Sequence, residues 1–279
     1  ESFAWPKPED EFRIFCLGGS TVQGRPFAIE TAFSTWLELS LQQCAPSRSW
    51  DVINCGGVSY ATYRLVPLLR EILKYKPDLL ILYTGHNEFL EDRSYAHLKR
   101  HPRILGNLQS QLSRLRMVQF PRSVWNGHAT AQPGTTLAAD VDALLDYRGG
   151  LADYHRDPGW RKMVIEHFQY NLDKMLQLTQ QAGVPVILVD PVSNIKDTPP
   201  FKSVVDTTLS TEQRTRFTDL WSRARSLPPG SEVNQQKLLR QALDLDPGHA
   251  GAHFLLGHVQ EQLRHFDLAK ASYLRAKDE

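Results

Sequence analysis

The sequence predicts a three-layer α/β/α domain built on a parallel sheet, followed by a segment made only of helices. Three observations carry that reading. Short apolar runs without polar alternation recur between amphipathic helical stretches, which is the pattern of parallel strands covered on both faces. Three of these runs stop at glycine-bearing blocks, and beyond the Pro-rich Asp197-Thr198-Pro199-Pro200 turn the pattern is helical throughout. The α/β domain is accordingly placed at residues 1–205, with an insertion at about 91–160, and the helical segment at 206–279.

Taken in order, Phe12-Arg13-Ile14-Phe15-Cys16-Leu17 is a β-rich run that ends at Gly18-Gly19-Ser20, a strand entering a tight turn. Phe33, Trp36, Leu37, Leu41 and Cys44 then recur at helical spacing. Residues 50–55 give a second strand, 61–75 a helix, and 78–83 a strand apolar on both faces. Later, Val164, Phe168, Leu172, Met175 and Thr179 share one helical face, Gly183 closes that helix, and residues 184–189 supply the fourth strand.

Between the third and fourth strands lie roughly seventy residues outside this alternation, too many for a plain loop. Leu105, Leu108, Leu112, Leu115 and Val118 form a helical stripe there. Arg93, Lys99, Arg100, Arg103, Arg114, Arg116 and Arg122 surround it against only Glu91 and Asp92. The plain reading is a solvated helix packing its leucines on the sheet domain; the sharper one is a basic amphipathic surface facing a membrane or an anionic polymer.

In the helical segment a Leu227-Pro228-Pro229-Gly230 break separates two helices. Ala242 with Pro247, then Leu256-Gly257, Ala269, Tyr273 and Ala276, resemble consecutive tetratricopeptide repeats, whose small residues let paired helices pack closely. Two repeats are fewer than a free-standing solenoid needs.

Composition excludes several classes. With 41% hydrophobic and 23% charged residues the chain is not disordered, and a net charge of +1 argues against a dedicated nucleic-acid binder. Cys16, Cys44 and Cys55 show no paired spacing for zinc or a disulfide framework, and Cys16 and Cys55 read as small strand hydrophobes. His97, His101, His128 and His155 have no metal-ligand spacing, so neither metal nor cofactor is indicated; glycine-rich nucleotide loops are absent as well. No apolar stretch is long enough to span a membrane. The chain opens at Glu1 without a methionine, which reads as a processed form from which any upstream anchor or signal has been removed.

Three blocks fall at the carboxyl ends of predicted strands, where open α/β sheets gather their ligand sites. They are Gly18-Gly19-Ser20-Thr21, Asn54-Cys55-Gly56-Gly57 and Gly85-His86-Asn87-Glu88. At these residues the sequence resembles the SGNH, or GDSL-type, hydrolase superfamily, over roughly residues 12–201. Ser20 matches its nucleophile, Gly56 its second-block glycine and Asn87 its third-block asparagine. The first block reads Gly-Gly-Ser-Thr in place of Gly-Asp-Ser, and Glu88 stands where Asp is common, as in the bacterial branch that joins such a domain to tetratricopeptide repeats. The resemblance implies a flavodoxin-like fold and a serine hydrolase site. Gly19, Thr21, Gly57, His86 and Glu88 would then line the substrate.

Acyl transfer explains why these residue types are needed. A serine hydroxyl becomes nucleophilic only when a base takes its proton, and the tetrahedral oxyanion needs donors aimed at it. The N–H groups of Ser20 and Gly56 and the Asn87 amide would supply three. The family's orienting aspartate and base histidine come late, as Asp-x-x-His. One such string occurs, Asp246-Pro247-Gly248-His249, but at the place of an inter-repeat turn, where a proline after aspartate separates two helices. The pair is therefore expected beyond Glu279, with Asp246 and His249 the alternative catalytic pair.

The function expected is hydrolysis of an acyl ester, with an acetylated glycan as candidate substrate. Alternatives are transfer of an acyl group onto a polysaccharide outside the cytoplasm, or a non-catalytic interaction module that binds a protein partner through its helical repeats. An extracytoplasmic or membrane-anchored location is implied by the resemblance alone.

Overall fold

The computed structural model describes residues 3–90 and 155–279. Most of the insertion, including its leucine stripe, its basic residues and His97, His101 and His128, lies outside the described residues. The described chain forms two compact units, residues 3–90 with 158–191, and residues 155–157 with 192–279. The division therefore falls at 191/192 and not at 205/206. Val205 packs into the helical core, and the Asp206 N–H donates to Asp246 Oδ2 at 3.0 Å, so this stretch belongs with the helices.

In the first unit, β1 (Glu11–Gly18), β2 (Ser49–Gly56), β3 (Leu79–Tyr83) and β4 (Val186–Leu188) form one sheet in the order β2-β1-β3-β4, with every pairing parallel. This is the start of the flavodoxin-type order, in which the chain winds outward from β1 in both directions and opens a crevice between β1 and β3 at their carboxyl ends. The helices are α1 (Ser20–Gln23), α2 (Phe33–Cys44), α3 (Thr62–Ile72) and α4 (Pro158–Ala182).

Strand period two sends alternate side chains to opposite faces, and two apolar layers result. Phe15, Leu17, Ile53, Leu80 and Leu82 pack with Leu65 and Leu69 of α3 and with Met175 of α4. Ile14, Cys16, Val52, Ile81 and Tyr83 pack with Val22 of α1 and with Phe33, Leu37 and Leu41 of α2. The architecture is therefore three-layered. Trp36 departs from the expected stripe and is 61% exposed, and Cys44, at the helix end, is exposed too.

The end of α4 follows from Gly183, at φ 68°, which lets the Val184 N–H turn back to Thr179 O at 3.0 Å. β4 is shorter than residues 184–189, although Leu80 N–H to Pro185 O and Val189 N–H to Leu82 O extend its pairing by one bond at each end. Ile187 and Leu188 remain about half exposed at this sheet edge.

Arg13 is fully buried in a strand that is apolar from Ile14 to Leu17. Its Nε donates to Glu11 Oε1 at 2.6 Å, its Nη1 and Nη2 to Tyr75 O and Ala4 O, and its guanidinium lies 4.7 Å from the Phe3 ring centre. Asp51 Oδ2 stands 3.6 Å from Nε. Burial, and then the Glu11 charge, push the Asp51 carboxyl up to about 6.

The second unit contains α5 (Thr211–Ser226), α6 (Glu232–Leu245), α7 (Ala250–Gln262) and α8 (Phe266–Asp278), each packed on the next. Ser210 and Gln213 form a reciprocal capping box that starts α5, and Pro228 to Gly230 break the chain before α6. Phe217, Leu220, Leu239, Ala242, Ala252, Leu256 and Val259 form its core. Gly257 brings α7 close to α8, since a Cβ there would lie 2.6 Å from the Tyr273 ring; Ala269 is buried on α8.

Candidate active site

At the carboxyl end of β1 the backbone passes through Gly18 and Gly19 and enters α1 at Ser20. Both glycines are required by close approach and not by a left-handed backbone. A Cβ on Gly18 would fall 2.1 Å from Tyr83 O, and one on Gly19 would fall 2.2 Å from Asn87 Nδ2, with Gly19 itself at φ −86°. The Asn87 amide is thus pressed against the residue that precedes Ser20, across the gap between β1 and β3.

Ser20 is half-buried, and its hydroxyl has no hydrogen-bond partner among the described residues. As the first two residues of α1, Ser20 and Thr21 have N–H groups without acceptors inside the helix. Asn87 is 8% exposed and spends one Nδ2 hydrogen on Tyr60 O at 3.0 Å, which leaves the other for a ligand.

The second block behaves differently from its sequence reading. The Gly56 N–H donates to Asn54 Oδ1 at 2.9 Å, while Asn54 Nδ2 donates to Val22 O and Ser34 Oγ. A Cβ on Gly56 would stand 2.2 Å from Gln23 N. Gly56 is therefore a packing glycine beneath α1 and not an oxyanion donor, because the asparagine two residues before it has taken its N–H. The Gly57 N–H likewise donates to Gly18 O at 3.1 Å, and its missing side chain leaves room for the Tyr60 ring.

In the third block Gly85 adopts φ 124°, a conformation that favours glycine. His86 is exposed and meets the Tyr83 ring edge-on, with partial burial lowering its pKa. Glu88, in contrast, is 3% exposed: one carboxylate oxygen accepts the Thr62 N–H at 2.9 Å and the other the Thr62 hydroxyl at 2.8 Å. It thereby holds the start of α3, where its negative charge is favourable, and does not line substrate. Asn171 of α4 reaches the same hydroxyl at 3.3 Å and lies beside His167, whose pKa burial lowers.

Sequence reasoning missed Ser59, which takes a left-handed φ of 59° in the loop between β2 and α3, a strained position for a residue with a Cβ. It missed Arg64 as well, a buried cation lying over the Tyr60 and Tyr63 rings. Glycine would have signalled the first; an arginine within a helical stripe carries no signal of burial.

Asp246 and His249 belong to the second unit. Asp246 is fully buried and accepts from Arg156 Nη1 at 2.7 Å, from the Asp206 N–H at 3.0 Å and from the Gly248 N–H at 3.3 Å. His249 caps α7, its Nδ1 accepting the Ala252 N–H at 3.1 Å, with its ring against Phe217 and Trp221. Burial lowers its pKa. In a catalytic triad that nitrogen carries a proton donated to the aspartate, so this tautomer is the wrong one and the string acts as an inter-helix turn. Among the described residues no imidazole is bonded to Ser20 Oγ, no cluster of three metal-ligating side chains occurs, and no helix is long and apolar enough to cross a membrane.

No known family matches the chain, and no curated protein matches it. Among solved structures, a two-domain esterase active on acetylated mannans, co-crystallised with mannopentaose, is similar at 23% identity over 28% of this chain and 22% of that one, with a TM-score of 0.26. A second structure of such an esterase matches at 22% identity over 28% and 21% of the two chains, again with a TM-score of 0.26. The chain thus spans less than a quarter of the esterase that it matches.

Proposed function

We propose that this chain is a serine ester hydrolase of the SGNH type, with Ser20 as nucleophile and an acyl ester, such as an acetylated glycan, as substrate. The observation that carries the proposal is the Ser20 hydroxyl, unpartnered at the carboxyl end of β1, with the Asn87 amide packed against the adjacent Gly19. Ser20 Oγ attacks the ester carbonyl, and the Ser20 N–H with the second Asn87 hydrogen receives the charge that develops on its oxygen. The proton acceptor is an imidazole outside the described residues. The helical unit, with its closely packed helix pairs, serves as a tetratricopeptide-like surface for a protein partner, and the extracytoplasmic location rests on the family resemblance.

The test is acetate release from an acetylated oligosaccharide. Release that is lost in Ser20→Ala and falls about 10²- to 10³-fold in Asn87→Ala supports the proposal. Release that survives Ser20→Ala contradicts it.

A further inference from the structure

Beside Ser20, on the α2 face of the sheet, lies a cavity of about 310 Å³ lined by Thr21, Arg25, Thr31, Phe33, Tyr83 and Val189, with Gly24 and Ala32 completing its wall. Its size is at the lower end of small-molecule sites, enough for one substituent and not for a polymer. Tyr83 and Phe33, whose rings meet edge-on at 6.3 Å, give it an apolar wall. Thr21 places it directly after the nucleophile.

The charge in this wall is of one sign. Arg25 is its single ionised residue, exposed and without an ion-pair partner among the described residues. Glu30, the acid closest to it in sequence, sits on the short turn Ile29–Thr31 and forms no pair with it. The position of Arg25 relative to the nucleophile is fixed by the backbone: Gly24 takes a left-handed φ of 108°, and the N–H groups of Gly24 and Arg25 both donate to Ser20 O at 3.0 Å. A side chain rooted on this fixed backbone, in the wall of the cavity, is within reach of a group bound there, and the planar guanidinium fork matches a carboxylate with two hydrogen bonds.

We propose that this cavity receives a carboxylate-bearing part of the ester, with Arg25 as its charge partner, so that the Ser20 site prefers acidic over neutral substrates. The inference rests on the esterase reading for its connection to Ser20, but the binding itself is measurable without turnover.

The experiment titrates the full chain with D-glucuronate, D-glucose and inorganic phosphate by calorimetry, for wild type, Arg25→Ala and Arg25→Lys. The Arg25 side chain is exposed and holds no ion pair among the described residues, so the variants are expected to keep the fold, which a thermal melt verifies. Expected is binding of glucuronate at least about tenfold tighter than glucose, a loss of about tenfold in Arg25→Ala, and partial retention in Arg25→Lys. Glucuronate binding no tighter than glucose, or unchanged in Arg25→Ala, overturns the proposal, and phosphate binding more tightly than glucuronate overturns the carboxylate assignment. A fluorophosphonate adduct at Ser20, read on the same samples, separates the two ideas. An adduct without selective binding sinks this inference alone, and selective binding without an adduct sinks the esterase reading alone.

Discussion

Replacing Gly19 by alanine probes the junction on which the site depends. At φ −86° an alanine meets no backbone strain, so the whole effect comes from the new methyl group, which would stand 2.2 Å from Asn87 Nδ2 and 3.5 Å from Tyr60 O. The amide cannot retreat freely, because it is hydrogen-bonded to Tyr60 O at 3.0 Å and is 8% exposed. Overpacking of this kind costs about 1–3 kcal/mol, and a broken hydrogen bond adds about 0.5–1.5 kcal/mol. Asn87→Ala alone leaves Tyr60 O without that donor, at about 1–3 kcal/mol. In Gly19→Ala/Asn87→Ala the clash no longer exists, so the double variant should be less destabilised than the sum of the singles by at least about 1 kcal/mol. Urea unfolding followed by tryptophan fluorescence gives all four corners of the cycle. Additive losses would show that Gly19 and Asn87 do not share the packing described, and the convergence of the first and third blocks would be refuted.

Four further outcomes are expected. Asp51 in the folded chain titrates near 6 against an ordinary 3.8, so the folded state binds its proton more tightly, and this group's contribution to stability falls as pH rises through that window. Asp51→Asn should therefore raise stability by roughly 1 kcal/mol at pH 8, after allowance for partial solvent screening, and by almost nothing at pH 4 in denaturation curves. Glu88→Ala strips both acceptors from buried Thr62 and should cost about 1–3 kcal/mol in the same assay. Gly257→Ala gains helix propensity of about 0.5–1 kcal/mol but drives a methyl group into the Tyr273 ring, so the melting temperature of the helical unit should fall. His249→Asn preserves a cap for α7 and should leave hydrolysis of p-nitrophenyl acetate unchanged; loss of that turnover in His249→Asn would contradict the turn assignment.

The sheet was legible because each strand carries a short β-rich apolar stretch, and the parallel pairing followed from the helices between them. Glycine marked the turns of the first and third blocks, by close approach at Gly18 and Gly19 and by a left-handed backbone at Gly85. What escaped depends on partners that no linear pattern names. The Gly56 N–H is taken by Asn54, a side chain whose reach is set by the turn itself. Glu88 looked like a solvent-facing acid beside Asn87, yet the start of α3 folds over it and makes it a helix anchor. Arg13 interrupts an apolar strand and is buried all the same, because Glu11, Asp51 and two backbone carbonyls surround it. Trp36 recurs with Phe33 and Leu37 in the sequence but lies about 60° from the one and about 100° from the other around the helix, on the side away from the stripe, which leaves it in solvent.

The central claim is that Ser20 is a nucleophile and not merely the first residue of a short helix. Incubation of the full chain with a fluorophosphonate, followed by peptide mass spectrometry, measures this directly, since only an activated serine displaces fluoride and keeps the phosphonyl group. The account predicts one adduct, on the peptide that carries Ser20, absent in Ser20→Ala and formed more slowly in Asn87→Ala. An unmodified Ser20 in folded protein, or an adduct that persists in Ser20→Ala, would contradict it.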